Sequence, residues 1–272
     1  MGSSAEELSR DERIRVEMHG HVAVLTLNRP EVLNAFSAGM GKLMADWLQA
    51  LNDDPDARVL VITGAGKGFC SGKDLKSANN LDKPAPRSPY RMLNFHEHNI
   101  ASIRSFAKPT IAAVNGVAAG AGLGISVACD MRIASADARF TAIFAKRGIP
   151  AQDAVAAFLP QIVGLPKALE MLYTARMVGA EEALAMGLVN EVAPADQLLD
   201  RALEVAGQIA KGPPLAMAMI KQVVYRGLGR PAEDQLAWQQ LGTYINAINA
   251  AEDIREASAA FKERREPRFK GG

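Results

Sequence analysis

Residues 108–135 read KPTIAAVNGVAAGAGLGISVACDMRIAS. A short apolar run, TIAAV, meets Asn-Gly; a stretch rich in Gly, Ala and other small residues follows, and MRIAS closes it. Both TIAAV and MRIAS read as strands. AGLGISVACD between them reads as a helix of small residues. ARVLVIT (57–63), short, apolar and β-branched, reads as a strand covered on both faces, and it runs into GAGKGFCSGKD (64–74). Strands alternating with helices at this spacing point to an α/β fold.

Upstream, IRVEM and HVAVLTL alternate apolar and polar residues around His19-Gly20-His21 and read as a β-hairpin. NRPEVLNAFS is a loop, and Ser37 is a candidate cap for the helix MGKLMADWLQALN. Residues 76–89 read as an exposed loop, and a helix is expected from Tyr90 to Arg104. From Leu159 the pattern is largely helical, with LVNEVA as one extended piece. An α/β core over 12–200 and a helical region over 201–270 are therefore expected.

Composition serves mainly to exclude. A net charge of +1 gives no global field toward nucleic acid or an acidic membrane. No membrane-spanning segment is expected. Cys70 and Cys129 form no CxxC pair or disulfide framework, and the polar start lacks a signal peptide's apolar core. A soluble, cytoplasmic protein is expected.

The loud motifs fail on inspection. GAGKGFCSGKD has Asp74 where a phosphate loop needs Ser or Thr, and Lys67 where it needs its leading glycine. GAGLG has the wrong spacing for a dinucleotide fingerprint. His96-Glu97-His98 lacks the second histidine spacing of a helical zinc site, since residue 100 is isoleucine. His96, Glu97 or His98 remains a minor acid/base candidate. His19 and His21 read as turn residues. Cys70 is a nucleophile if a histidine base lies near it in space, or a small packing residue; Cys129 reads as core. No metal site is expected.

The two glycine-rich turns together offer more. Each leaves main-chain N–H groups facing outward, and the second does so at a helix N-terminus. Two such donors aimed at one point form an oxyanion hole. The competing reading is two tight turns whose glycines serve only backbone conformation.

LTLNRPEVLNAFS, GKGFCSGKDL, KPTIAAVNGVAAGAGLGISVACDMRIAS, ALEMLYTARMVGAEEALAMGLVNEV and EASAAFKERREPRF strongly resemble the crotonase, or enoyl-CoA hydratase/isomerase, family over residues 13–269. The resemblance implies a spiral of ββα units and a C-terminal helical region that builds trimers or dimers of trimers. It implies acyl-CoA thioester substrates, with coenzyme A entering as part of the substrate and no separate cofactor. It places the oxyanion donors on the N–H groups of Ser71 and Ala121, with Gly72 and Asp74 completing the first loop and Gly120 and Gly122 flanking the second donor. It puts coenzyme A near Arg29 to Ala35, Val32 included, with Lys262 and Arg265 as candidate phosphate contacts, on this or a neighbouring subunit.

Two glutamates usual in the hydratases fall on Gly124 and Phe144. A local likeness to 4-chlorobenzoyl-CoA dehalogenase directs attention to GIPAQD, where Gln152 matches an acidic position and Asp153 follows it. Asp153 is thus a candidate base or nucleophile, or the cap of the helix after it. Asp74 is a candidate helix cap and Asp130 a candidate partner of Arg132. Phe144, Ile143, Phe158 and loop 76–89 are candidate pocket walls, or core packing. Isomerase-like chemistry with one carboxylate is favoured; dehalogenase- or hydrolase-like action, or a non-catalytic CoA-binding protein, are the alternatives.

Overall fold

The computed structural model describes residues 5–74, 100 and 102–271. Loop 76–89, His96 to His98 and most of the helix expected from Tyr90 lie outside them. A short helix α1 (Ala5–Leu8) precedes the hairpin β1 (Ile14–His19) and β2 (Val22–Leu27), and α2 (Met40–Asp53) leads to β3 (Val59–Gly64) and β4 (Gly68–Cys70). After α3 (Ser102–Ser105) come β5 (Thr110–Val114), β6 (Val117–Ala119), α4 (Ala121–Ala128), β7 (Met131–Ser135) and β8 (Arg139–Thr141). Then follow α5 (Val155–Val163), α6 (Leu165–Thr174), β9 (Val178–Gly179), α7 (Ala180–Ala185), β10 (Glu191–Ala193) and α8 (Leu198–Ala210). The chain ends with α9 (Pro214–Gly227), α10 (Ala232–Asn249) and α11 (Ala251–Glu263).

Two sheets organise the core. One has six strands in the order β1-β2-β3-β5-β7-β10; the other has four, β4-β6-β8-β9. Within each strand pair β3–β4, β5–β6 and β7–β8, the first strand joins the large sheet and the second the small one. This is the ββα spiral expected from the resemblance. Apart from the β1–β2 hairpin, the large sheet is parallel, with Val22 opposite Val59 and Leu60 opposite Thr110.

The strand period of two sorts side chains between two cores. Val22, Val24, Val59, Val61, Ile111 and Ala113 face α8, where Ala202, Ala206 and Ala210 pack. Leu25, Leu60, Ile62, Ala112 and Val114 face the other core, with Met44 and Leu48 of α2 and Leu123 of α4. The division expected at 200/201 falls inside α8. Its small alanines lie on the sheet, so this helix closes the core instead of opening the C-terminal region. No helix among the described residues is long and apolar enough to cross a membrane.

The small sheet was not foreseen. GFC, VAA and RFT are three-residue strands, too short to show a period. Ser37 does not cap α2: Gly39 is the N-cap, without a side-chain bond, and Ser37 Oγ accepts a hydrogen bond from Arg13 Nη1 at 3.2 Å.

Candidate active site

Asn34 builds the first loop from the inside. Its buried side chain accepts the Arg29 N–H at 2.8 Å and donates to Ala65 O at 2.9 Å and Gly68 O at 2.7 Å. Leu33 and Asn34 are both left-handed, with φ of 50° and 56°. That turn presents Leu33 O to Ser71, whose N–H donates to it at 3.0 Å. The Ser71 N–H is therefore committed within the loop, not offered to a substrate as expected. The Ser71 hydroxyl is also committed, to Val32 O at 3.1 Å.

Two residues on, a different donor is left. Phe36 and Lys73 form a parallel bridge: Phe36 N–H donates to Gly72 O at 2.8 Å, and Asp74 N–H donates to Phe36 O at 3.0 Å. In such a pairing the bonds to Phe36 come from the residues flanking Lys73, so the Lys73 N–H points to the opposite side. It makes no hydrogen bond among the described residues.

The second loop brings its donor to the same place. Gly120, with φ of 52°, donates its N–H to Thr141 O at 3.1 Å and starts α4. The next N–H, that of Ala121, is the first of the helix and has no partner within it. Close backbone packing holds the loops together: a Cβ on Gly122 would lie 2.0 Å from Cys70 O, and one on Gly72 3.1 Å from Ala119 O. Lys73 and Ala121 line one cavity of about 100 Å³ with Gly72, Gly120, Phe144 and Asp153. Ser71, Ile143, Arg147, Ile149 and Gln152 complete the lining. Arg147 and Ile149 were missed, because short helical turns carry no periodic signal.

Asp153 is the one carboxylate among the described residues lining this cavity. It does not cap α5: Ala154 is the N-cap and makes no side-chain bond. Asp153 and Ala154 are both left-handed, with φ of 54° and 68°. Its side chain is 11% exposed, and Oδ1 lies 3.0 Å from Lys73 Nζ. Lys73 Nζ also donates to Gln152 Oε1 at 3.2 Å. Gly124 lies directly beneath. A Cβ there would meet Asp153 O at 2.1 Å and Asp153 Cβ at 3.1 Å. The 153 backbone thus fills the room that a side chain at 124 would need.

Other expected residues fall elsewhere. Arg29 pairs with Asp74 at 2.9 Å and donates to Ala35 O at 2.8 Å, bracing the loop beside Val32. Arg265 pairs with Glu256 at 2.6 Å and with Glu263 at 2.6 Å, both on α11. Lys262 lies in the last turn of α11 and Arg265 just beyond its end; neither lines the cavity. Phe158 sits under the Arg104 guanidinium at 4.1 Å, not in the cavity wall. Asp130 pairs with Lys221 at 2.9 Å and accepts the Tyr225 hydroxyl at 2.7 Å, whereas Arg132 donates to Leu188 O and Cys129 O. Burial pushes the Cys70 and Cys129 thiols up to about 12, which makes neither a nucleophile. His21 Nδ1 lies 2.9 Å from Asp56 O at the hairpin turn, and His19 beside Glu17.

The sequence profile of the enoyl-CoA hydratase/isomerase family matches residues 17–272. The chain is 36% identical over 264 residues to (E)-benzylidenesuccinyl-CoA hydratase of Thauera aromatica, covering 95% of this chain and 99% of that one. It is 33% identical over 251 residues to 1,2-epoxyphenylacetyl-CoA isomerase of Escherichia coli K12, covering 92% and 95%. Its fold superposes on an enoyl-CoA hydratase from Bacillus anthracis with a TM-score of 0.84, at 30% identity over 96% of this chain and 100% of that one. An enoyl-CoA hydratase from Polaromonas sp. JS666 gives 0.85, at 31% identity over 94% and 99%.

Proposed function

Because the chain belongs to the enoyl-CoA hydratase/isomerase family, we propose that it acts on acyl-CoA thioesters and moves a proton with one carboxylate, Asp153. One observation carries this reading: the Asp153 carboxylate shares a cavity with two unbonded main-chain N–H groups, those of Lys73 and Ala121. The thioester oxygen accepts both N–H bonds. Asp153 takes a proton from an acyl carbon, and the electron pair moves onto that oxygen as an enolate. The two fixed N–H dipoles and the N-terminus of α4 stabilise the charge where it develops. The same carboxyl returns the proton to another carbon of the conjugated system. The double bond shifts, and no water is consumed.

Addition of water by a pair of glutamates has no support at the expected positions. Gly124 has no room for a side chain, and Phe144 has no ionisable group to transfer a proton. Relatives named as a hydratase and as an isomerase both take CoA thioesters, so the substrate class is supported more strongly than the reaction. Coenzyme A enters with the substrate, near residues 29–35. A homotrimer, or a dimer of trimers, is proposed from the apolar face of α9 and α10, where Ile220, Val224, Leu236 and Tyr244 are more than half exposed.

The test is a panel of enoyl-CoA thioesters in D2O, followed for deuterium entry and double-bond position. Asp153→Asn is expected to slow both by about 10²- to 10⁴-fold, the usual worth of a general acid–base group. Exchange at the parental rate would reject Asp153 as the base. Release of free coenzyme A without isomerisation would instead identify thioester hydrolysis.

A further inference from the structure

We propose that Lys73 is a positioning residue whose ammonium orients the Asp153 carboxylate for proton transfer, so that one residue serves both reacting groups. This rests on the reading of Asp153 as the base. The Lys73 ammonium contacts two consecutive side chains of one segment, Asp153 Oδ1 at 3.0 Å and Gln152 Oε1 at 3.2 Å. Asp153 Oδ2 has no hydrogen bond among the described residues, which leaves it for a substrate proton.

The segment needs such a hold. Asp153 and Ala154 are consecutive left-handed non-glycine residues, a conformation that persists only when its surroundings enforce it. Gly124 supports it from below by admitting the Asp153 carbonyl, and no helix cap secures it. Lys73 reaches it from the other side of the cavity. Among the described residues around the cavity, the other charged one is Arg147, and no ion pair with a described residue holds it.

The Lys73 side chain is half exposed, so the pair adds little to overall stability. What a charge-assisted bond of this length adds is geometry. Without it the carboxylate loses its ion pair and the orientation that pair imposes, and small misplacements of a reacting group are costly in rate. The Lys73 main-chain N–H, proposed above as an oxyanion donor, is separate from this function. It survives every substitution at 73 except proline, so the side-chain role is testable alone.

Lys73→Met removes the ammonium and keeps the N–H and an unbranched apolar stem. It is expected to lower kcat about 10- to 100-fold while the Kd of a saturated, unreactive acyl-CoA stays within about twofold of the parent. Lys73→Arg, which restores a cation suited to a carboxylate, is expected to recover kcat to within about threefold. An unchanged kcat in Lys73→Met overturns the inference. So does failure of Lys73→Arg to recover it, or a matching loss of Kd and thermal stability in Lys73→Met. Asp153→Asn separates the two readings. If it is inactive while Lys73→Met is not impaired, only the Lys73 inference fails; if it is fully active, the base assignment fails first and takes this one with it.

Discussion

At Gly124 the absence of a side chain is what lets Asp153 reach the cavity. A methyl group there would stand 2.1 Å from a main-chain carbonyl, which cannot swing aside as a side-chain tip can. Gly124→Ala is therefore expected to lose about 1–3 kcal/mol of stability, the cost of overpacking, and most of the proposed proton transfer, read from a denaturant melt and from deuterium entry in D2O. By the same geometry Gly124→Glu displaces the 153 segment and does not create a hydratase. Asn34 is the opposite case, a buried polar residue whose value lies in being fully bonded. Asn34→Ala strands Ala65 O and the Arg29 N–H and removes a donor from Gly68 O. It is expected to cost about 3 kcal/mol, measured as a drop in the urea midpoint at unchanged m-value.

At the level of elements, the site is made by strands of the small sheet giving way to turns. The first loop leaves β4 and is pinned by the bridge to Phe36; the second leaves β6 and becomes α4. A comparable pinning occurs at the C-terminus. Glu256 of α11 accepts the Arg268 N–H at 2.7 Å, and buried Asp253 accepts those of Lys270 at 2.8 Å and Gly271 at 3.0 Å. Hydrogen bonds from Arg265 and the Arg268 N–H hold the Glu256 carboxyl down at about 2, against an ordinary 4.5. An acid depressed on folding contributes its stabilisation above the unfolded value and loses it as pH falls through the folded one. The tail is thus expected to loosen between pH 4.5 and 2, seen as loss of amide-exchange protection at Arg268. Glu256→Gln is expected to reproduce that loss at pH 7.

For the whole molecule, α9 is tied to the core at Asp130, which joins Lys221 and Tyr225 of α9 to the Thr110 N–H of β5. With its inner side held, α9 turns Ile220 and Val224 outward, 57% and 54% exposed, beside Tyr244 of α10 at 66%. If α9 and α10 carry the proposed trimer contact, Ile220→Asp together with Tyr244→Asp is expected to lower the sedimentation coefficient to that of a monomer, and an unchanged coefficient rejects that face as the contact. The sequence by itself determined the α/β class, the ββα spiral through its resemblance, the helical end and the neighbourhood of the site, because covered strands, glycine turns and amphipathic helices are patterns of adjacent residues. It also located the start of α4 at AGLGISVACD, since a helix N-terminus is a local event. Only the tertiary structure decided that Ser71 spends its N–H on Leu33 while Lys73 keeps its own, because both outcomes depend on residues 33 and 36 folding back against the loop. It likewise decided that Asp130 takes Lys221 rather than Arg132, and that Asp153 rests on Gly124 and Lys73 rather than capping α5. A side chain's partner is chosen by contacts distant in sequence, and local pattern carries no record of them.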